Sequence, residues 1–196
     1  GGRLGHVLFY GGSYYVDNPL EIFMIWKPGM AFHGGIIGVV LATYFFCKAR
    51  HIKILVLLDL ISVGSPIGLF FGRLANFING ELWGRITDSP LGMIFPGAGP
   101  YPRHPSQLYE AALEGILILI LQISLMVLAK KKKWKPGLVA GSFAISYAVM
   151  RSFAEFFREP EDGFVGPLTA GQFLSLPLII LGVIFIKNAL NPRKTP

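Results

Sequence analysis

The sequence predicts an all-α membrane protein, a polytopic helical bundle with five complete transmembrane helices and a helical stub at its N-terminal end. Three observations predict this class. First, the 196 residues are 53% hydrophobic and 15% charged, and their mean hydropathy is +0.55, values typical of integral membrane proteins. Second, apolar runs long enough to cross a bilayer recur along the chain. Third, the positive charge lies beside these runs, as the positive-inside rule expects.

The elements follow in order along residues 1–196, which we expect to form a single membrane domain. Residues 1–10 are too short to span and predict the outer end of a helix, and residues 11–30 predict an interfacial connection because they combine aromatic side chains with prolines. Residues 79–106 contain five prolines and predict a long external loop, a kind of loop that often carries function. Five complete spans are predicted at residues 31–49, 54–76, 107–129, 137–157 and 169–186.

The net charge of +7 indicates membrane topology rather than nucleic-acid binding. Nine of the ten lysines lie in three clusters, at residues 48–53, 130–135 and 187–194, each beside an apolar run. With these clusters in the cytoplasm, the spans alternate without contradiction, the long polar connections are external and the C-terminus is cytoplasmic. No aromatic-studded basic groove accompanies the charge, so we expect no nucleic-acid partner.

The chain has one cysteine, Cys47, which excludes an intrachain disulfide. It follows an apolar run on the predicted cytoplasmic side, and we expect a buried, inert thiol. The sequence shows no zinc or haem spacing.

Residues 72–85 (GRLANFINGELWGR) are the strongest candidate for a functional site. They follow an apolar span, yet they contain two arginines, two asparagines and a glutamate. An ionisable side chain at membrane depth costs at least ~2.5–3.5 kcal/mol on insertion scales and is seldom kept without a use. The alternative is an interfacial loop whose arginines only reach the lipid headgroups.

Three helices bring polar side chains to one depth. At ~1.5 Å per helical residue, His33 lies ~22 Å above the inner edge of its span, Arg73 ~30 Å and Arg151 ~24 Å. Against a hydrocarbon core of ~30 Å, all three fall in the outer half. Arginine suits phosphate because its guanidinium offers a fixed fork of donors. Histidine is the usual general base near neutral pH, although His33 could equally be a structural hydrogen-bonding group.

Tyr147, Arg151, Glu155 and Arg158 form one stripe on their helix, at i, i+4, i+8 and i+11. Arg151 and Glu155 could be a neutralised structural pair. Glu155 could instead pair with Arg158, which would leave Arg151 positive and suited to an anionic ligand.

Other polar residues at the span ends have structural explanations. Ser106 is expected to cap the third span, and Gln107, Tyr109 and Glu110 are candidates for supporting the site from its first turn. Asp59 lies about one turn above the inner edge, so we expect it to make structural hydrogen bonds rather than to take part in chemistry.

Several blocks of the sequence resemble the signatures of the prolipoprotein diacylglyceryl transferase family. They are residues 72–85 above, HGGIIG at 33–38, HPSQLYEA at 104–111 and YAVMRSFAEFFREP at 147–160, in the family's order. In addition, GRLGHVLFY at 2–10 is similar to the end of the family's second helix. The resemblance implies a fold of seven transmembrane helices with an external N-terminus, of which we expect this chain to lack the first helix and most of the second.

The resemblance implies an enzyme of the bacterial inner membrane, with its active site in the outer, periplasmic half. It would move the diacylglyceryl group of phosphatidylglycerol onto the lipobox cysteine of a prolipoprotein and release glycerol phosphate, without a cofactor. Its partners would be phosphatidylglycerol, prolipoprotein signal peptides and membrane lipids. Arg73 and Arg151 would hold the phosphate, His33 would deprotonate the thiol and Tyr147 would orient a substrate. The headgroup pocket would be completed by Asn76, Glu81, Gly84, Glu155 and Arg158.

Two other functional classes fit part of the pattern. An anionic-lipid or small-anion transporter could use Arg73 and Arg151 as a binding pair. Transporter sites lie near the midplane between internal repeats, whereas this sequence has no visible repeat and its polar residues lie toward one side. A membrane acyltransferase acting on glycerol phosphate would also use a histidine and arginines, but on the cytoplasmic face.

Overall fold

The computed structural model describes residues 1–11, 14–159, 164–165 and 168–191, apart from the side chains at 32, 33, 164, 165, 168, 170, 171 and 174. The chain divides into two compact units, Gly1–Leu57 and Leu58–Pro196, each with its own internal contacts. The described residues are predominantly helical, which agrees with the predicted all-α class. The organisation as a single membrane domain stays a prediction.

The first unit is built around two helices that approach closely at glycines. Its elements are α1 (Gly2–Tyr10), α2 (Tyr14–Asp17), a 3-10 turn (Pro19–Phe23) and α3 (Phe32–Arg50). A Cβ on Gly34 of α3 would lie 2.7 Å from the Cα of Gly5 in α1, so a larger residue would force the two helices apart. Cys47 is buried on α3, as predicted for an inert thiol. The predicted connection at residues 11–30 contains two short helical turns that its composition did not indicate.

Arg3 joins α1 to that connection. Its Nη1 donates to the carbonyl of Pro28 at 3.0 Å, and its Nη2 donates to the carbonyl of Glu21 at 2.7 Å. The guanidinium also lies over the ring of Tyr15, 5.4 Å from its centroid. Backbone carbonyls therefore satisfy both terminal nitrogens of this buried cation, while its Nε has no hydrogen-bond partner, and the contacts give Arg3 a structural role.

The second unit contains most of α4 (Ile54–Asn79), followed by a long irregular loop and one extended helix. That helix consists of α5 (Ser106–Glu110), a π-helical segment (Ala111–Leu117) and α6 (Ile118–Lys132). The chain continues with α7 (Leu138–Ala154), a two-stranded antiparallel ribbon of β1 (Phe164–Val165) and β2 (Leu168–Thr169), and α8 (Ala170–Leu190). Each predicted span therefore corresponds to a helix, with ends that differ by a few residues.

Two helical stretches among the described residues are long and apolar enough to cross a membrane, Ile54–Asn79 and Ser106–Lys132. Leu138–Ala154 and Ser175–Leu190 are shorter apolar helices. The two long stretches bury only 17% and 28% of their apolar windows inside the protein. A core helix of a soluble protein would be mostly buried, so this exposure favours contact with lipid. The count of five complete spans stays a prediction.

Asp59 fixes the start of α7 against α4. Its Oδ2 accepts a hydrogen bond from the backbone N–H of Gly137, and its Oδ1 accepts one from the N–H of Ala140, both at 2.8 Å. A buried carboxylate on one helix thus satisfies orphan donors at the N-terminus of another. The structural role predicted for Asp59 is confirmed.

The helices α7 and α8 approach each other closely at glycines. A Cβ on Gly141 of α7 would lie 2.8 Å from the carbonyl oxygen of Gly182 in α8.

Ser106 does not cap its helix, contrary to the prediction. Pro105 occupies the N-cap position without a side-chain cap, and Ser106 is the first helical residue. The Ser106 hydroxyl instead donates to the carbonyl of Leu82 at 3.1 Å. It therefore connects the irregular loop to the start of α5. The acceptor, Leu82, lies 24 residues before Ser106, so local sequence spacing could not indicate this hydrogen bond.

Candidate functional site

The candidate site is a cluster of six charged side chains in the second unit, carried by four segments of the chain. Three arginines and three glutamates contribute: Arg73 on α4, Glu110 at the end of α5, Glu114 in the π-helical segment, Arg151 on α7, and Glu155 and Arg158 just after α7. Arg73 and Arg151, predicted to meet from separate helices, are brought together.

Arg73 is held by two buried carboxylates from the neighbouring helix. Its Nε lies 2.7 Å from Oε2 of Glu110, and its Nη2 lies 3.2 Å from Oε2 of Glu114. The same Glu114 oxygen is 3.4 Å from Nε. The two carboxylates therefore occupy the Nε–Nη2 edge of the guanidinium.

Arg151 shares these carboxylates and adds a third. Its Nη1 lies 3.2 Å from Oε2 of Glu110, the oxygen that also contacts Arg73, and 4.0 Å from Oε1 of Glu114. Its Nη2 contacts Oε1 of Glu155 one turn along α7. Glu110 is consequently a bridge between the two arginines that the sequence singled out.

The pairing of Glu155 with Arg158, which would leave Arg151 positive, is wrong. Glu155 contacts Arg151, and the Nη1 of Arg158 lies 3.5 Å from Oε1 of Glu110. The other predicted option, an Arg151–Glu155 pair at i,i+4, is the one observed. Arg158 meets a carboxylate from another helix, that of Glu110.

Burial separates the two kinds of charge in the cluster. The glutamate side chains are at most 4% exposed, whereas the arginine side chains are 10–16% exposed. The arginine side chains are therefore the more accessible members of the cluster, although Nη1 of Arg151 is itself buried. The arrangement balances the buried charges against one another.

The cluster keeps unused hydrogen-bonding capacity. Among the described side chains, Glu110 Oε2, Glu114 Oε1 and Arg151 Nη1 are buried and make ion contacts without hydrogen-bond geometry. Buried polar atoms are usually hydrogen-bonded, and exceptions concentrate where a ligand or a chemical role accounts for them. Arg3 Nε, Gln107 Oε1 and Gln122 Oε1 are unsatisfied as well, so this spare capacity is compatible with a ligand at the cluster but is not confined to it.

Asn76 and Glu81 form a second polar group at the end of α4. The Nδ2 atoms of Asn76 and Asn79 donate to Oε1 of Glu81 at 2.8 and 3.2 Å. These hydrogen bonds lower the pKa of Glu81, which keeps its carboxyl ionised. Gln107 donates to the Glu81 carbonyl at 2.7 Å, which agrees with its predicted supporting role.

Gly84 joins the loop to the segment that follows α7. It forms an antiparallel bridge with Arg158, and its N–H donates to the carbonyl of His104 at 2.9 Å. A Cβ at this position would lie 2.5 Å from the carbonyl oxygens of both His104 and Phe157. Only glycine fits, because two backbone segments approach it from opposite sides. Arg103 reinforces the junction by donating from Nη1 to the Gly84 carbonyl at 3.1 Å.

Two tyrosines close in sequence to cluster residues make aromatic contacts. Tyr147, one turn before Arg151 on α7, stacks on Phe143 with ring centroids 6.0 Å apart, and it lies within electrostatic range of Glu114 and Arg151. Tyr109 hydrogen-bonds instead with His104, at 3.3 Å from ring Nδ1 to hydroxyl. The place of Tyr147 in the substrate site stays a prediction.

His33 cannot be placed in the site from its side chain. It is the second residue of α3 in the first unit, and its side chain lies outside the described part of the structure. Its role as a base stays a prediction.

Glu114 is the residue that the sequence reasoning missed. It lies inside an apolar run, where the sequence was interpreted only as a span. A signal was present, since Gln107, Glu110 and Glu114 recur at i, i+3 and i+7 on one helical face. A lone carboxylate within a span is also a functional indicator.

Comparison with known proteins identifies one family, the family that the sequence blocks resemble. A model of the family described as prolipoprotein diacylglyceryl transferase matches residues 1–187. Relatives named phosphatidylglycerol–prolipoprotein diacylglyceryl transferase include those of Nitrosospira multiformis, 52% identical over 190 residues, and Rhodospirillum rubrum, 51% identical over 188 residues. The alignments cover 95% and 94% of this chain, and 64% and 68% of the relatives. The chain thus spans about two thirds of the length of these curated relatives.

Proposed function

The chain belongs to the prolipoprotein diacylglyceryl transferase family, and we propose that the protein catalyses the reaction that gives its relatives their name. The protein would transfer the diacylglyceryl group of phosphatidylglycerol to the lipobox cysteine of a prolipoprotein, as the first step of lipoprotein maturation. The observation that carries this proposal is the meeting of Arg73 and Arg151 on one buried carboxylate, Glu110.

The reaction explains why two arginines are needed. The thiolate sulfur attacks the glycerol carbon that carries the phosphate ester, so a carbon–sulfur bond forms as the carbon–oxygen bond breaks. The electron pair leaves with the oxygen, and a phosphodiester with one negative charge becomes glycerol phosphate with about two. Arg73 and Arg151 would stabilise this increase in charge, since preorganised donors act most strongly where charge develops.

The thiol proton and the headgroup require further residues. The nucleophile is the thiolate, and His33 is proposed as the base that removes the proton, with Tyr147 orienting a substrate. Asn76, Glu81 and Gly84 would shape the headgroup pocket at the end of α4. Glu155 and Arg158 would complete it from the segment just after α7, where Glu155 contacts Arg151 and Arg158 contacts Glu110.

The proposed setting is the bacterial inner membrane. Five helices of this chain would span it within a seven-helix protein, with the cluster toward the periplasm and the C-terminus in the cytoplasm. The basic residues in the last turns of α3 and α6 support this orientation, since cations favour both a helix C-terminus and the cytoplasmic side. Phosphatidylglycerol, the lipobox signal peptide and membrane lipids would be the partners, without a cofactor or nucleic acid.

Arginine substitutions test the proposed phosphate clamp. Arg73→Ala and Arg151→Ala should each lower diacylglyceryl transfer by at least ~10²-fold, the loss typical when an oxyanion donor is removed. Since breaking a buried ion pair costs ~3–5 kcal/mol, the amount of folded protein in the membrane must be measured alongside. Arg50→Ala, at the exposed end of α3, is the matched control and should keep normal transfer. Near-normal transfer in both site variants would contradict the clamp.

A further inference from the structure

We propose that Glu114 is a positioning residue that fixes the direction in which Arg73 presents its guanidinium group to the phosphate. The inference rests on the proposed function for its substrate, but the geometry that carries it concerns only Arg73 and its neighbours. Glu114 is fully buried, at 0% exposure, and it therefore acts through Arg73 rather than by touching a substrate.

The contacts define which part of Arg73 is held. Oε2 of Glu114 lies 3.2 Å from Nη2 and 3.4 Å from Nε, and Oε2 of Glu110 lies 2.7 Å from Nε. Within the described residues, the side-chain hydrogen bonds of Arg73 leave from Nε and Nη2, and none engages Nη1. The guanidinium is therefore gripped by its Nε–Nη2 edge, and its outer end, Nη1 and Nη2, remains the part available to bind two phosphate oxygens.

The backbone brings the carboxylate to this place. Glu114 lies in the π-helical segment, and the next residue, Gly115, lies against α4: a Cβ there would be 2.6 Å from the Cβ of Phe70. Phe70 is one turn before Arg73 on α4. The close approach that Gly115 permits therefore places Glu114 directly behind Arg73, and π-helical turns of this kind are frequent at functional sites.

Glu110 and Glu114 are not equivalent in this arrangement. Glu110 contacts all three arginines of the cluster and balances their charge. Glu114 makes its hydrogen bonds to Arg73, while its other oxygen is 4.0 Å from Arg151 without a hydrogen bond. A neutral substitution at Glu114 should therefore release Arg73 selectively.

Two opposite effects of Glu114 can be separated by kinetics. If the carboxylate acts mainly as a negative charge, its removal should strengthen phosphate binding and raise kcat. If it orients Arg73, its removal should lower kcat more than it changes KM for phosphatidylglycerol. The reason is that the phosphate gains charge only as the carbon–oxygen bond breaks, so a misdirected guanidinium costs most in the transition state.

The test compares Glu114→Gln, Glu114→Asp and Asp59→Asn in the complete protein in membranes. We expect Glu114→Gln to lower kcat by about 10–100-fold with KM within about threefold, the range seen when supporting residues of a site are lost. Glu114→Asp, which keeps the charge, should recover part of kcat. Asp59→Asn removes another buried carboxylate, near the start of α4 and well before Arg73, and it should lower the amount of folded protein but not kcat per folded molecule.

A binding measurement decides the inference without relying on transfer. Direct titration with glycerol phosphate should show weaker binding to Glu114→Gln than to the unsubstituted protein. In an Arg73→Lys background, the same substitution should add no more than about a twofold further loss, because Glu114 acts through Arg73. An unchanged or higher kcat in Glu114→Gln, or an equal loss of binding in both backgrounds, would overturn the inference. Absence of transfer by the unsubstituted protein, with this binding pattern intact, would instead refute only the transferase proposal.

Discussion

Gly84→Ala is expected to disrupt the site without touching a charged side chain. The added Cβ would lie 2.5 Å from two backbone carbonyl oxygens, those of His104 and Phe157. This is about 1 Å closer than the ~3.5 Å at which such atoms pack best. Neither carbonyl can move freely, since His104 O accepts from the N–H of Gly84 and Phe157 O accepts from the N–H of Arg85, both at 2.9 Å.

The energetic cost follows from these contacts. Overpacking of this size costs about 1–3 kcal/mol, and each displaced backbone hydrogen bond adds about 1 kcal/mol, so the junction should lose ~2–5 kcal/mol. Arg158 pairs with Gly84 in the antiparallel bridge and also contacts Glu110. A shift near 1 Å would therefore reach the arginine cluster, where misplacement of that size can cost ~10²-fold in rate.

The assay is diacylglyceryl transfer per folded molecule, together with the temperature at which half of the detergent-solubilised protein aggregates. Gly84→Ala should lower both. Gly68→Ala is the matched control: among the described residues its Cβ would meet no atom within 4 Å, and it lies inside α4, where alanine is favoured over glycine by ~1 kcal/mol. Equal behaviour of the two variants would refute the argument that two backbone segments close on Gly84.

Three further predictions concern individual contacts. Arg151→Lys keeps the charge but loses the fork that reaches two carboxylates, so transfer should fall ~10²-fold at unchanged protein level in a lipid-transfer assay. Asp59→Ala should lower thermal stability by ~1–3 kcal/mol while transfer per folded molecule stays constant, because it uncaps α7 at Gly137; lost transfer would contradict its structural role. Hydrogen bonds from asparagine amides lower the pKa of Glu81 in the folded protein below its value in the unfolded chain. The ionised carboxylate therefore stabilises the loop fully at pH values above the unfolded pKa, and this stabilisation is lost as the pH falls through the lower, folded-state pKa. A pH scan of thermal stability should show this loss in the unsubstituted protein but not in Glu81→Gln, and identical scans would refute it.

The sequence predicted the helices and the convergence of the arginines because both depend on regular geometry. Apolar runs of span length marked the helices, and the constant rise per residue brought Arg73 and Arg151 to one level before any contact was known. Asp59 could be assigned a structural role on the same grounds, since its depth separated it from the other polar residues.

The pairing within the cluster could not be predicted, because it depends on tertiary contacts. Arg73 and Glu114 are 41 residues apart, and the choice of Glu155 between two arginines depended on Glu110 from another helix. The π-helical segment and the close packing at Gly115 within it are not indicated by any local pattern. Helical depth therefore predicted that the two arginines meet, but tertiary contacts were needed to show that carboxylates balance their charge.

The most direct test of the transferase proposal is mass spectrometry of a lipobox peptide incubated with membranes that contain the complete protein and phosphatidylglycerol. The account predicts that the peptide gains the mass of one diacylglyceryl group on its cysteine and that glycerol phosphate is released in equal amount. Repeating the reaction with His33→Gln should remove the gain if His33 is the base. An unmodified peptide after incubation with correctly inserted, folded protein would contradict the transferase account.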